Sequence, residues 1–189
     1  MQFSSIYEVL TLDTFPPARM VGRPLPSPDL RQNDWEAACT MTPPALQHVL
    51  LIEDSEDDAF FFHRAFERTG LALRLERLSS GADAIDYFLS LLSGPRQDEP
   101  CPIMVFLDLK LPIFSGFDII EWLASRGLLE KLRISVLSGS ESVADLERAR
   151  ELGVENYFVK PIAPDLLRAT LLPLLGKAVA AASRPCLTA

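Results

Sequence analysis

The chain has 189 residues, 48% apolar and 23% charged, ordinary for a globular fold with room for one sizeable core. Its formal net charge is -8 and its pI is near 4.8, which argues against a phosphate backbone or an anionic membrane as a direct partner. No apolar run reaches membrane-spanning length, and Met1 to Leu12 lacks the basic start of a signal peptide, so a cytoplasmic protein is expected.

Residues 1–46 carry seven prolines between Pro16 and Pro44. Proline lacks an amide donor and fixes its own backbone, so this stretch cannot build a long helix or a central strand. A disordered leader is expected over 1–46, a folded domain over 47–176 and a short tail over 177–189. Met41 stands just ahead of the ordered pattern and is a candidate natural start. Cys39, Cys101 and Cys186 are far apart and form no Cys-x-x-Cys pair, so free thiols are expected.

From His48 onward, strand and helix patterns alternate. Val49 to Ile52 is a continuous apolar run, as in a buried parallel strand. Asp57 to Thr69 repeats apolar residues at helical spacing and Gly70 stops it. Leu73 to Leu78 alternates apolar and charged residues, which suits an edge strand. Ala82 to Leu92 is a second helix and Ile103 to Leu107 a second apolar strand. Ser115 caps a helix reaching Arg126. Ile134 to Leu137 is a strand, Ser142 to Leu152 a helix and Val154 to Val159 the fifth strand. Pro164 opens the last helix, which is expected to end near Leu175 with a kink at Pro173.

This alternation predicts a doubly wound α/β fold, with five parallel strands in the order 2-1-3-4-5. In such a sheet the ligand sits beyond the carboxyl ends of strands 1 and 3. Those ends carry Glu53-Asp54 and Asp108. Three converging carboxylates repel unless a cation intervenes, and a hard divalent ion such as Mg2+ takes oxygen ligands of this kind. The fourth and fifth strand ends add Ser138 and Lys160. A metal, a hydroxyl and an ammonium around one aspartate form a phosphoryl-transfer site with Asp108 as nucleophile.

Four stretches resemble one family. Val49-Leu-Leu-Ile-Glu-Asp-Ser-Glu-Asp-Asp58, Phe106-Leu-Asp-Leu-Lys-Leu-Pro112 with Gly116, Val136-Leu-Ser-Gly139 and Tyr157-Phe-Val-Lys-Pro161 are similar to the receiver domain of two-component response regulators. They stand in that order, thirty residues from Asp108 to Ser138 and twenty-two from Ser138 to Lys160. The resemblance implies a flavodoxin-like receiver fold and a phosphorylation switch, not an enzyme. It implies that Asp108 accepts the phosphoryl group and that Asp54 binds Mg2+ directly. Glu53 then acts through water, and the backbone carbonyl of Lys110 completes the ligand set. Ser138 and Tyr157 become the switch pair. Lys160 becomes the phosphoryl contact, with a cis bond to Pro161. Three departures, at four positions, matter against the commoner pattern. Serine replaces threonine at 138, Ser115 replaces an acid, and Lys110 and Ser140 occupy positions that tune dephosphorylation.

Glu53 to Asp58, Asp86-Tyr-Phe-Leu89 and the loop from Ser93 to Pro102 further resemble small stand-alone receivers paired with phytochrome-type histidine kinases. The implied partner is such a sensor kinase, with output by protein contact or phosphorelay. An aspartyl-phosphate phosphatase would need a second acid two residues after the nucleophile, where Lys110 stands. A pseudo-receiver would lack the aspartate or the lysine, and a flavin site would need a phosphate-cradling loop after the first strand.

Several residues read more simply. Asp57 and Asp58 suit the first turn of a helix. His63 is expected to face solvent, and Phe60-Phe61-Phe62 to be core with one partly exposed ring. Seven of the ten residues from 166 to 175 are apolar, more than the stripe of about 100° that covers a sheet. A homodimer through the fourth helix, fifth strand and fifth helix is expected, with Leu171 and Leu174 outward.

Overall fold

The computed structural model describes residues 47–92, 101–140 and 142–182. The expected leader over 1–46 lies outside them, as does the loop over 93–100. Five strands and five helices alternate. They are β1 (His48–Ile52), α1 (Glu56–Arg68), β2 (Arg74–Leu78), α2 (Gly81–Leu92) and β3 (Met104–Asp108). Then come α3 (Gly116–Ser125), β4 (Ile134–Ser138), α4 (Val143–Glu151), β5 (Asn156–Val159) and α5 (Pro164–Ala182). All strands pair in parallel, in the order β2-β1-β3-β4-β5. The expected doubly wound sheet is therefore the observed one.

The central strands explain the layering. In β1, Leu50 and Ile52 point to one face and Val49 and Leu51 to the other. In β3, Val105 and Leu107 alternate in the same way with Met104 and Phe106. This two-residue period splits the core into two slabs. Leu50, Val105 and Val136 meet Phe88 of α2 and Ile119 and Leu123 of α3. Val49, Leu51 and Phe106 meet Phe62 and Phe66 of α1 and Leu167 and Leu171 of α5. Phe106 centres the second slab, 5.0 Å from the Phe62 ring and 6.2 Å from the Phe158 ring.

Helix ends follow their local chemistry. Ser55 caps α1 by accepting from the Asp58 amide, and Gly70 follows the helix at φ +64°. Ser115 caps α3, and Asp118 answers with its carboxylate on the Ser115 amide, a complete capping box. The serine in place of an acid at 115 thus has a structural role of its own.

Four expectations need correction. α5 continues through Pro173 to Ala182, beyond Leu175 and into the expected tail, because the alanines there favour helix. Leu171 is fully buried and Leu174 packs against the core, so the outward leucines of α5 are Leu166 and Leu172. Phe60 and Phe61 both face outward, 60% and 58% exposed, and only Phe62 enters the core. Consecutive helical positions are about 100° apart, so three adjacent rings cannot share one buried stripe. Cys101 is disulfide-bonded rather than free, its partner lying outside the described residues.

Candidate functional site

The site forms where β1 and β3 end side by side, with Ile52 and Leu107 as register partners. Chain direction alone delivers Glu53, Asp54 and Asp108 to one edge. Glu53 and Asp108 are 1% and 3% exposed, whereas Asp54 is open to solvent. Each offers a carboxylate oxygen, and the three oxygens lie within 4.8 Å of one another. Packed acids with that spacing and that chemistry fit a hard divalent cation such as Mg2+. Lys110, two residues past β3, has an exposed side chain.

Lys160 follows β5, and its amide donates to the Ser138 carbonyl at 2.8 Å. Its ammonium lies 2.6 Å from Glu53 Oε2, 2.9 Å from Asp58 Oδ2 and 3.2 Å from Asp108 Oδ1. The bond between Lys160 and Pro161 is cis, as expected. Burial raises the Glu53 carboxyl above its ordinary value, the Lys160 hydrogen bond opposes this, and the Asp108 charge reinforces it. For Lys160, burial alone would lower the ammonium. Hydrogen bonds to Glu53 and Asp58, with the charges of Asp108 and Glu53, outweigh it and hold the group above its ordinary value. The lysine is therefore charged at neutral pH. Asp108 Oδ1 is buried and accepts no hydrogen bond of good geometry among the described residues.

Two features fix the acidic loops. Arg77 on β2 donates through Nε to the Glu53 carbonyl at 3.0 Å and through its guanidinium to the Asp54 carbonyl at 3.1 Å. The Glu53 amide in turn donates to the Leu78 carbonyl. At β3, a Cβ on Gly116 would stand 2.3 Å from the Asp108 carbonyl oxygen and 2.9 Å from the Leu109 Cα. Only glycine lets the start of α3 approach so closely.

Ser138 is fully buried at the end of β4. Its hydroxyl accepts from the Ser140 amide at 3.1 Å, and the Ser140 carbonyl accepts from the Tyr157 hydroxyl at 3.1 Å. Ser138 and Tyr157 are thus joined through the backbone of Ser140.

Glu53, Asp54, Asp108, Lys110, Ser138 and Lys160 lie at the carboxyl edge of the sheet, whereas Tyr157 lies within β5, opposite Val136. Asp57 and His63 are exposed on α1, as expected. Asp58 is more than a helix-end charge, since it is bonded to Lys160. Arg77 and Asp58 escaped sequence reading. Nothing in an edge-strand arginine or a first-turn aspartate announces contacts twenty-three and 102 residues away. The link that Ser140 makes between Ser138 and Tyr157 was equally hidden, because it uses main-chain groups.

Comparison with known proteins agrees with this geometry. The model of the response regulator receiver domain matches residues 49–172. A probable methanogenesis regulatory protein, FilR2 of Methanothrix harundinacea, is 36% identical over 123 residues, covering 65% of this chain and 77% of that protein. The polar-differentiation response regulator DivK of Brucella ovis is 28% identical over 130 residues, covering 69% and 97%. The solved bacteriophytochrome response regulator AtBRR shares the fold with a TM-score of 0.55 and 27% identity, over 76% of this chain and 97% of that one. A parallel sheet in receiver order, an acidic edge with its lysine, and a family match over 49–172 lead to one conclusion: this chain belongs to the response regulator receiver domain family.

Proposed function

We propose that Asp108 is the residue on which this receiver takes a phosphoryl group from a histidine kinase. The observation that carries the reading is the buried carboxylate of Asp108, whose Oδ1 accepts no hydrogen bond of good geometry among the described residues and has the Lys160 ammonium 3.2 Å away. An oxygen lone pair left free inside a charged pocket suits a nucleophile. The carboxylate oxygen attacks phosphorus, a new O–P bond forms, and the N–P bond to the donor histidine breaks. The leaving imidazole nitrogen takes a proton.

Lys160 offsets the charge carried by the phosphoryl oxygens. Asp54, Asp108 and the Lys110 carbonyl would hold Mg2+ directly, with Glu53 acting through water, and the ion would supply charge neutralisation at the phosphoryl group. Ser138 donates to the new phosphate. Its hydroxyl already accepts from the Ser140 amide, so a turn of Ser138 is felt at Tyr157 through the backbone of one residue.

The test is intact mass after incubation with acetyl phosphate and Mg2+. One phosphoryl adduct is expected in the wild type, and none in Asp108→Asn or without the metal. An adduct that persists in Asp108→Asn overturns the assignment.

The partner we assign is a phytochrome-type histidine kinase. The likeness to AtBRR and the motif at Glu53 to Asp58 support this. Phosphotransfer profiling against a panel of histidine kinases tests it, and preference for a kinase of another type overturns it. The chain also pairs with a second copy through α4, β5 and α5. Val143, Leu146, Val159, Leu166 and Leu172 support this, because all five are exposed on those elements. Sedimentation at micromolar concentration should show a dimer that Leu166→Arg with Leu172→Arg dissolves. A wild-type monomer, phosphorylated or not, refutes it.

A further inference from the structure

Asp58 has no place in the phosphoryl-transfer scheme above. Yet its carboxylate accepts a hydrogen bond from the Lys160 ammonium at 2.9 Å, beside the 2.6 Å ion pair of that ammonium with Glu53. The contact spans 102 residues of sequence and joins the first turn of α1 to the β5–α5 loop. It is partly shielded. The side chain of Lys160 is 13% exposed, and Phe61, Phe62, Leu137, Pro161 and Ile162 line the cleft that it shares with Glu53 and Asp58. A charge-assisted bond in a partly apolar cleft is stronger than one in open water.

The three acids around the ammonium are not equivalent. Glu53 and Asp108 belong to the cluster that suits a cation. Asp58 lies outside that cluster.

We infer that Asp58 is a resting-state tether for Lys160: a positioning residue that competes with the phosphoryl group for the ammonium and so sets how readily the switch turns on. The inference rests on the reading of Asp108 as phosphoacceptor and names a regulator of that same site. A lysine has three N–H donors, and each held by Asp58 must be redirected or shared when a phosphoryl oxygen arrives. Removing the tether should therefore favour the phosphorylated form. Asp58→Asn keeps the side-chain shape and removes the charge. It should leave α1 capped, because Ser55 receives the backbone amide of residue 58 and not its side chain.

The measurement is the affinity of the full chain for beryllofluoride in saturating Mg2+, read by the change in its NMR spectrum. Asp57→Asn is the charge control, since Asp57 is exposed one residue away on the same turn. Asp58→Asn should bind the mimic about three- to fivefold more tightly, the span expected for loss of a half-exposed ion pair. Asp57→Asn should stay within about twofold of wild type, as an exposed charge does in salt. The Lys160 ammonium resonance should move in Asp58→Asn and stay put in Asp57→Asn. Equal affinity in Asp58→Asn and wild type overturns the tether. So does tighter binding with an unmoved ammonium signal, which would trace the gain to net charge alone. A wild type that binds no beryllofluoride in Mg2+ sinks the Asp108 reading instead, and the tether falls with it.

Discussion

The β1–β3 pair and the β5 edge are built on opposite principles. Every residue of β1 and β3 is buried, and their side chains interlock with helices on both faces. In β5 only Phe158 is buried, and in α4 only Ala149. Close packing leaves the central pair one arrangement, which suits residues that must keep an acid cluster in register. The β5 edge carries fewer apolar contacts and more solvent, the composition of a region that can rearrange at low cost. One receiver thus sets a closely packed acidic seat beside a looser, more exposed edge. Lys160 belongs to both, since its backbone extends β5 and its side chain enters the seat.

Four substitutions test that division, from the strongest expected effect to the weakest. Phe106→Ala removes the ring between Phe62 and Phe158. It should lower unfolding free energy by about 3–5 kcal/mol in urea titration. A loss below about 1 kcal/mol would show that the central slab can collapse around the gap and is not rigid.

Gly116→Ala drives a methyl group into the Asp108 carbonyl. The atom struck is backbone of a central strand, so the strain should cost about 1–3 kcal/mol. Mg2+ affinity should fall with it. Stability loss with unchanged Mg2+ affinity would mean that the seat tolerates a moved backbone.

Tyr157→Phe removes the hydroxyl that reaches the Ser140 carbonyl. The cost should be about 1 kcal/mol or less, as for one hydrogen bond near the surface. Phosphorylation yield at Asp108 should be unchanged, while the spectral response of α4 and β5 to beryllofluoride shrinks. An intact response would detach Tyr157 from the reporting edge.

Glu56→Gln should do least. Glu56 is fully exposed, and its hydrogen bond to Arg77 holds its carboxyl below the ordinary value of 4.5. A depressed carboxyl stabilises the fold above its ordinary value, and that contribution disappears as pH falls through the depressed value. The small gap in melting temperature between wild type and variant should therefore exist at neutral pH and close in acid. A gap that widens in acid would contradict the pairing.

Sequence legibility followed the same division. The apolar runs Val49 to Ile52 and Ile103 to Leu107 announced strands buried on both faces, and chain direction then placed Glu53, Asp54 and Asp108 together. The outer surfaces were harder to read. Leu171 and Leu172 are adjacent and chemically identical, yet only one is buried, and the choice depends on where α5 crosses the sheet. Phe60 and Phe61 posed the same difficulty on α1. Long side chains such as Arg77 and Lys160 select partners by three-dimensional proximity, which spacing along the chain does not encode. That is why Asp58 read as a helix-end charge.

Arg77 ties the breathing of the acidic turn to that of the outermost strand. An edge strand has hydrogen-bonded neighbours on one side only, so it opens locally more often than the strands beside it. Whenever β2 loosens, the carbonyls of Glu53 and Asp54 lose their shared donor at the same instant. The acidic turn therefore takes its support from a side chain on the least-paired strand of the sheet, so its orientation is coupled to the pairing of β2 as well as to β1.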